Sequence, residues 1–478
     1  MLLAKKVLYD VKIMQIKSSE TFLNIDKHNA HTKNTKHFGK EAYMKKSIWT
    51  DSTKLPHFDK LKDSTKTDVL IIGGGLCGIL CAYFLKKRGV DYILAEANTI
   101  ASGTTKNTTA KITSQHGLIY TKLIRDFGTE KAQMYLRANE DALNEYRKLC
   151  KDISCDFESK SAYTYSMTDR KKIEDETNAV NSLGFKAKFC DKLELPFDTQ
   201  GAICFENQAQ FNPLKFLSEI SMGLNIYENT FIRDISPNCA TSDRGEIFAE
   251  KIIICTHFPF VNKHGSYFLK LYQHRSYVSA LKNAQPVNGM YVDEDITGMS
   301  FRTQGDLLLV GGGSHRTGKD GGSWNELDSF AKIYYPQSKS MYRWSTQDCM
   351  SLDSVPYIGR YSRRTPNLYV ASGFNKWGMT SSMAAAKILC DMVTGKNNDF
   401  EAVFSPQRSI LRPQLLVNGM EAAKNLMTPT SKRCPHLGCA LKWNKYEHSW
   451  DCPCHGSRFE KDGTLIDNPA TGDAKIKR

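Results

Sequence analysis

Asp68-Val-Leu-Ile-Ile72 is a short apolar run of the kind that makes a strand buried on both faces. It runs straight into Gly73-Gly-Gly75-Leu76-Cys77-Gly78. A helical stretch follows from Ile79 to Arg88, with Gly89 where a C-cap glycine belongs. A second apolar run, Tyr92-Ile-Leu-Ala95, ends at Glu96. Ahead of this unit, residues 1 to about 43 are polar and lack periodicity, which predicts a disordered extension. Ile48-Trp49 is the first pair with buriable side chains, and folded sequence is expected from about Lys66 to Thr394. Residues 396–430 read as a connection punctuated by Pro406, Pro413 and Pro429, with a short helix from Asn418 to Leu426.

Strand, glycine turn, helix, strand and acid together make a dinucleotide fingerprint with its context intact. Gly73 permits the tight turn, Gly75 lets a pyrophosphate approach the backbone, and Gly78 allows close helix–strand packing. The helix N-terminus directs partial positive charge at phosphates. Glu96 is placed to accept from ribose hydroxyls. The bland alternative is a glycine-rich turn without a ligand, and the motif alone does not separate NAD from FAD.

The C-terminal residues carry Cys434-Pro-His436-Leu-Gly-Cys439 and Cys452-Pro-Cys454-His455-Gly-Ser457. Two thiolates and two imidazoles suit a [2Fe–2S] cluster with histidines on one iron. Zinc accepts the same ligand set, but does not explain Cys439, Cys454 or the Gly-Ser pair. The pattern resembles the two boxes of Rieske proteins. That resemblance implies Cys434 and Cys452 on the buried iron, His436 and His455 on the outer one, and a Cys439–Cys454 disulfide. It also implies a hydrogen bond from Ser457 to a bridging sulfide. Phe459 stands where many high-potential members have tyrosine, so a lower potential is expected. Asn468-Pro-Ala470 resembles the proline loop over the cluster. The module is short for such a domain, so its support is expected from the rest of the chain.

Residues 66 to 395 resemble the D-amino-acid oxidase-like flavoproteins, which include glycine and sarcosine oxidases. The likeness rests on the polar loop Ala101 to Lys111, on Gln210-Phe-Asn-Pro-Leu-Lys-Phe216, and on Thr230-Phe-Ile232. Lys251 to Thr256, Asp353-Ser-Val-Pro-Tyr-Ile-Gly359 and Leu368 to Thr380 extend it. The resemblance implies FAD, held by Gly73, Gly75, Leu76, Cys77, Gly78, Glu96 and Ala97. Ser102, Thr104, Thr105, Asn107 and Thr108 in the polar loop, with Ile232 and Thr256, are further implied contacts. Gly373, Phe374, Trp377, Gly378, Met379 and Thr380 complete the set. The implied fold class is α/β (α+β): a Rossmann-like FAD-binding domain with an inserted antiparallel-sheet substrate domain, plus a small C-terminal all-β Rieske module. The expected division is a basic extension over 1–65, the flavin domain over 66–395, a linker over 396–430 and the cluster module over 431–478.

Departures from the family limit the catalytic reading. Lys376 and Trp377 replace a small residue and a histidine, and Asp348-Cys349 stands where several amino-acid oxidases have a carboxylate-clamping arginine. Arg275 and Arg302 are candidates for that clamp. Lys111, His116 and His274 are candidates for groups near the flavin ring. Cys349 lacks the surroundings of a covalent flavin anchor.

The net charge is +14, half of it in residues 1–66, where 14 lysines face 7 acids. The lysines are dispersed and no nucleic-acid motif accompanies them, so a solvated tail is expected. No stretch is long and apolar enough to span a bilayer, and the start lacks a signal-like apolar segment. A cytoplasmic location is therefore expected, with the ten cysteines from 77 to 390 as reduced, buried thiols. The implied activity is an FAD-dependent dehydrogenase of an amine or amino-acid-like substrate. Its electrons pass singly between FAD and the cluster, with an external one-electron acceptor or donor. Two alternatives stay open: an oxidase with a sensing or structural cluster module, and a reductase running the other way.

Overall fold

The structure, a computed structural model, describes residues 44–476. The disorder expected of residues 1–43 lies outside them. The strand Thr65–Ile72 is the centre of the first sheet. It lies parallel between Glu246–Ile254 and Tyr92–Ala95, with Ile71 paired to Ile253 on one side and Leu94 on the other. Val69 to Ile72 are all buried, as the continuous apolar run requires. Pairing extends the strand back to Thr65, opposite Ile247. Thr365–Ser372 joins the other edge of Glu246–Ile254 in parallel, and Tyr357–Ser362 pairs with it antiparallel. Helices Leu76–Lys87 and Gly378–Val393 pack in the core cluster over this sheet.

A second sheet has nine strands, antiparallel except where Met290–Asp293 runs parallel to Glu158–Tyr165. Its long strands Leu271–Lys282 and Lys339–Ser351 pair over almost their whole length. The third sheet belongs to the C-terminal module: Lys442–Asn444, Ser449–Asp451, Arg458–Phe459 and Leu465–Asp467, all antiparallel. Strands of two or three residues cannot hold a module by themselves.

Two element boundaries differ from the sequence expectation. The described body begins at residue 44 and not near 66, because Trp49 and Leu61 are buried in it. Trp49 Nε1 donates to the Thr108 carbonyl at 2.8 Å, and Leu61 N donates to Thr230 Oγ1 at 3.1 Å. The connecting helix runs Pro413–Met427, longer than expected, since Pro413 opens it at the first turn, where its missing N–H costs nothing. The cysteines scattered along the chain are partly gathered by the fold: Cys77 and Cys255 lie 3.6 Å apart, with Cys81 beside them. Among the described residues no helix is long and apolar enough to cross a membrane.

Candidate functional site

One cavity of about 1090 Å³ runs from the glycine turn to the C-terminal module. At the glycine-turn end the sequence motif has the geometry its chemistry requires. Gly73 has φ +108°, and a Cβ there would meet the Cys255 carbonyl oxygen at 2.8 Å. A Cβ on Gly78 would collide with the Gly73 carbonyl, so helix and strand pack as closely as they can. Glu96 accepts from Gly74 N at 2.6 Å and from Asn98 N at 2.8 Å. Its carboxylate lies on the cavity wall, and burial raises its pKa. This cradle fits a dinucleotide.

The polar loop after the second strand is pinned from behind by its consecutive carbonyls. Trp344 Nε1 donates to Asn107 O at 2.9 Å and Trp49 Nε1 to Thr108 O at 2.8 Å. Arg302 donates to Thr109 O at 2.7 Å and to Ala110 O at 3.0 Å. Arg302 is fully buried, which lowers its pKa to about 9. Its role is to hold this loop, and it does not reach the cavity as a carboxylate clamp. Of the expected cofactor residues, Gly78, Gly373 and Thr380 stand behind the wall, and the others line it.

The four candidate catalytic residues fall in different places. Lys111 lines the cavity, and burial with Arg302 nearby lowers its pKa to about 7. His116 also lines it, but both nitrogens are engaged. Nε2 donates to Thr113 O at 2.9 Å, so Nδ1 accepts from the Tyr135 hydroxyl at 2.6 Å. Burial lowers its pKa to about 3, and its ring stacks on Trp377 at 5.0 Å, which makes it a support for that indole. His274 is absent from the wall, and burial next to Lys376, His315 and Arg316 lowers its pKa to about 3. Arg275 touches the cavity, but its guanidinium is bonded to Glu447 and Ser345. Cys349 is buried, 3.5 Å from Ser372 Oγ, and does not line the cavity. Lys376 reaches Ser314 Oγ at 3.2 Å on the wall, from a backbone with φ +71°.

The two Cys-His loops share one geometry. Gly438 N donates to Cys434 O and Gly456 N to Cys452 O, each at 2.9 Å, and both glycines have positive φ. The loops bring His436 Nδ1 and His455 Nδ1 within 3.3 Å, with the buried Cys434 and Cys452 thiols interacting beside them. Cys439 and Cys454 are disulfide-bonded. Two imidazole nitrogens and two thiols converging in this way fit a histidine-ligated [2Fe–2S] cluster. Ser457 is fully buried, interacts with Cys434, and accepts from Ala470 N at 3.0 Å.

The cluster loops lie directly on the flavin-type domain. Gln273 Nε2 donates to His455 O at 2.9 Å, Gln347 Nε2 to Gly456 O at 2.8 Å, and Asn468 Nδ2 to Thr256 O at 2.7 Å. Glu447 lies between Arg275 and Arg458, and Arg458 also bonds Asp451 and Asp467. Burial pushes the Glu447 carboxyl up, but the two arginines outweigh it and hold the pKa at about 2. Arg458, Asn468 and residues 470–473 line the same cavity as the glycine turn. Sequence reading missed Gln273, Gln347, Glu447 and Arg458, which belong to no contiguous motif.

A dinucleotide cradle, and a two-thiol, two-imidazole site in a module whose Arg458 and Asn468 line the same cavity, define an FAD-dependent oxidoreductase with a Rieske iron–sulfur domain. Residues 68–392 match the FAD dependent oxidoreductase family, and residues 402–477 match the Rieske [2Fe-2S] domain. The chain belongs to that flavoprotein family. The Rieske match starts well before 431 and takes in the helix Pro413–Met427. The chain is 36% identical to the putative Rieske 2Fe-2S iron-sulfur protein YhfW of Bacillus subtilis, over 91% of this chain and 97% of that protein. It is 22% identical to gamma-glutamylputrescine oxidoreductase of Escherichia coli, over 73% of this chain and 89% of the other. Glycine oxidase from Geobacillus kaustophilus shares the fold, with TM-score 0.61 and 19% identity over 72% of this chain and 99% of that one.

Proposed function

We propose that the protein is a dehydrogenase of an amine or amino acid whose electrons leave one at a time through the Rieske module. When bound, FAD supplies a two-electron hydride acceptor and the cluster a one-electron carrier. The observation that carries the reading is Gln347. Its carbonyl accepts from Thr104 in the cofactor loop at 3.2 Å, while its side chain donates to Gly456 in the cluster loop at 2.8 Å. One residue thus ties both sites to one strand.

The remaining roles belong to side chains on the wall. Glu96 and the glycine turn hold the dinucleotide, and Arg302, Trp49 and Trp344 keep its loop in place. Lys111, neutral above about pH 7, takes a proton from a substrate ammonium. Lys376, beside Ser314, receives an anionic group of the substrate. The relatives' names, with an oxidoreductase of an amine and an oxidase of an amino acid among them, support the substrate class.

Anaerobic rapid mixing with a panel of amines and amino acids tests the proposal. Flavin bleaching followed by the EPR signal of a reduced Rieske cluster is the expected result. Bleaching with a silent cluster would instead support an oxidase with a sensing module.

A further inference from the structure

The helix Pro413–Met427 has its polarity turned inside out. Its buried residues are Asn418 and Asn425, whereas Leu416, Met420 and Met427 are 73%, 66% and 77% exposed. Those three lie at positions i, i+4 and i+11, on one face of the helix. Exposed Leu411, Val417 and Leu426 widen the apolar stripe. The inner face is held by polar bonds: Arg316 donates to Asn418 Oδ1 at 3.0 Å, and Asn418 Nδ2 donates to Leu269 O at 3.3 Å. An ordinary surface helix turns its apolar face inward. A contiguous exposed apolar face on a well-anchored helix marks an interaction site.

The stripe ends at the cluster. Ala440 N donates to Asn425 O at 3.0 Å, and Arg433 donates to the carbonyls of Leu426 and Gly438 at 3.1 and 2.8 Å. Leu437, next to His436 in the first box, is exposed as well. His455 is buried against the flavin domain; His436 is half-buried, with Nε2 2.9 Å from Asn262 Oδ1 and its ring against Phe258, and is the more exposed of the two histidines. The chain that carries this face is basic: between Ile410 and Tyr446 it has Arg412, Lys424, Lys432, Arg433, Lys442 and Lys445 against a single acid, Glu421, and of these charges Glu421 is paired with Lys319 and Arg412 with Asp126.

We propose that this face docks an acidic one-electron carrier protein, which exchanges one electron with the cluster through the His436 side. The inference rests on the reading above that the cluster exchanges electrons outside the chain. In the forward direction the reduced cluster loses one electron and the oxidised carrier gains it, and no bond or proton moves. A second copy of the chain fits poorly, because a two-fold contact would set the same basic stretch of chain against itself.

The test uses the holoprotein with oxidised plastocyanin as an acidic carrier and oxidised cytochrome c as a basic one. Binding is measured by calorimetry with both partners oxidised, and electron transfer by stopped flow after dithionite reduction of the cluster. Neither readout needs the flavin site, so failure here is distinct from failure of the dehydrogenase reading. Plastocyanin is expected to bind, more weakly with added salt, and cytochrome c is not. Leu416→Glu with Met420→Glu, and separately Lys424→Glu, are expected to weaken binding and slow cluster oxidation about tenfold or more. The iron content and the cluster EPR spectrum stay unchanged. Unaltered binding and rate in these variants overturn the proposal. So does an effect confined to vesicle flotation, to self-association, or to forms lacking residues 1–43, since each assigns the face to another occupant.

Discussion

Gln273 donates its side-chain N–H to the carbonyl of His455, so a strand of the second sheet holds the backbone of a cluster-binding residue. The same amide also reaches Asn468 O at 3.3 Å, in the proline loop. Gly456 packs so tightly here that a Cβ would meet the Gln273 Cβ at 2.6 Å. The module is thus seated on the strand pair Leu271–Lys282 and Lys339–Ser351, which supplies the support its own short strands lack.

Removing these donors should loosen the seat before it unfolds the flavin domain. Gln273→Ala or Gln347→Ala leaves a buried carbonyl unpaired, at a cost of about 1–3 kcal/mol each. Visible circular dichroism of the cluster is expected to melt at a lower temperature in each variant, with FAD fluorescence release shifted less.

Glu447 makes the docking acid-sensitive. Its folded pKa of about 2 lies below the ordinary glutamate value, so its contribution is present above that ordinary value and is lost as pH falls through the folded one. Glu447→Gln should destabilise the seat by about 3–5 kcal/mol, because Arg275 is left buried beside a neutral group, while Arg458 keeps Asp451 and Asp467. Limited proteolysis of the module should become less acid-dependent between about pH 5 and pH 2 in the variant.

Lys111 sets a pH limb on substrate oxidation. Its pKa of about 7 makes it cationic below that pH and able to accept a proton above it. The rate of anaerobic flavin reduction is expected to rise through about pH 7 and then level off. Lys111→Met should lower the plateau about 100-fold and remove the limb, within the usual span of general-base catalysis.

The cluster potential should respond to Ser457 and Phe459, both fully buried beside the ligand cysteines. Ser457→Ala removes a donor that favours the electron-rich reduced state, so the midpoint should fall by tens of millivolts. That follows from about 1 kcal/mol per hydrogen bond and 59 mV per tenfold change for one electron. Phe459→Tyr should raise it. Protein-film voltammetry reads both shifts.

What the chain determined by itself is the chemistry carried by contiguous residues. The glycine turn, its flanking strands and Glu96, and the two Cys-His boxes, are local patterns whose geometry follows from backbone rules within a few residues. Such features survive without knowledge of neighbours. Only the tertiary structure decided what the buried polar residues of the long strands face. An alternating or apolar run says which side of a strand is covered, but not by what. Arg302 could therefore be proposed as a substrate clamp, although it pins the cofactor loop from behind. Arg275 was open to the same reading until its strand brought it to Glu447, 172 positions away in sequence. His116, Gln273 and Gln347 took their roles in the same way, from partners set by sheet register and docking. Burial makes an unpaired polar group costly, so each of these side chains had to find a partner. Which partner depends on the packing of distant segments.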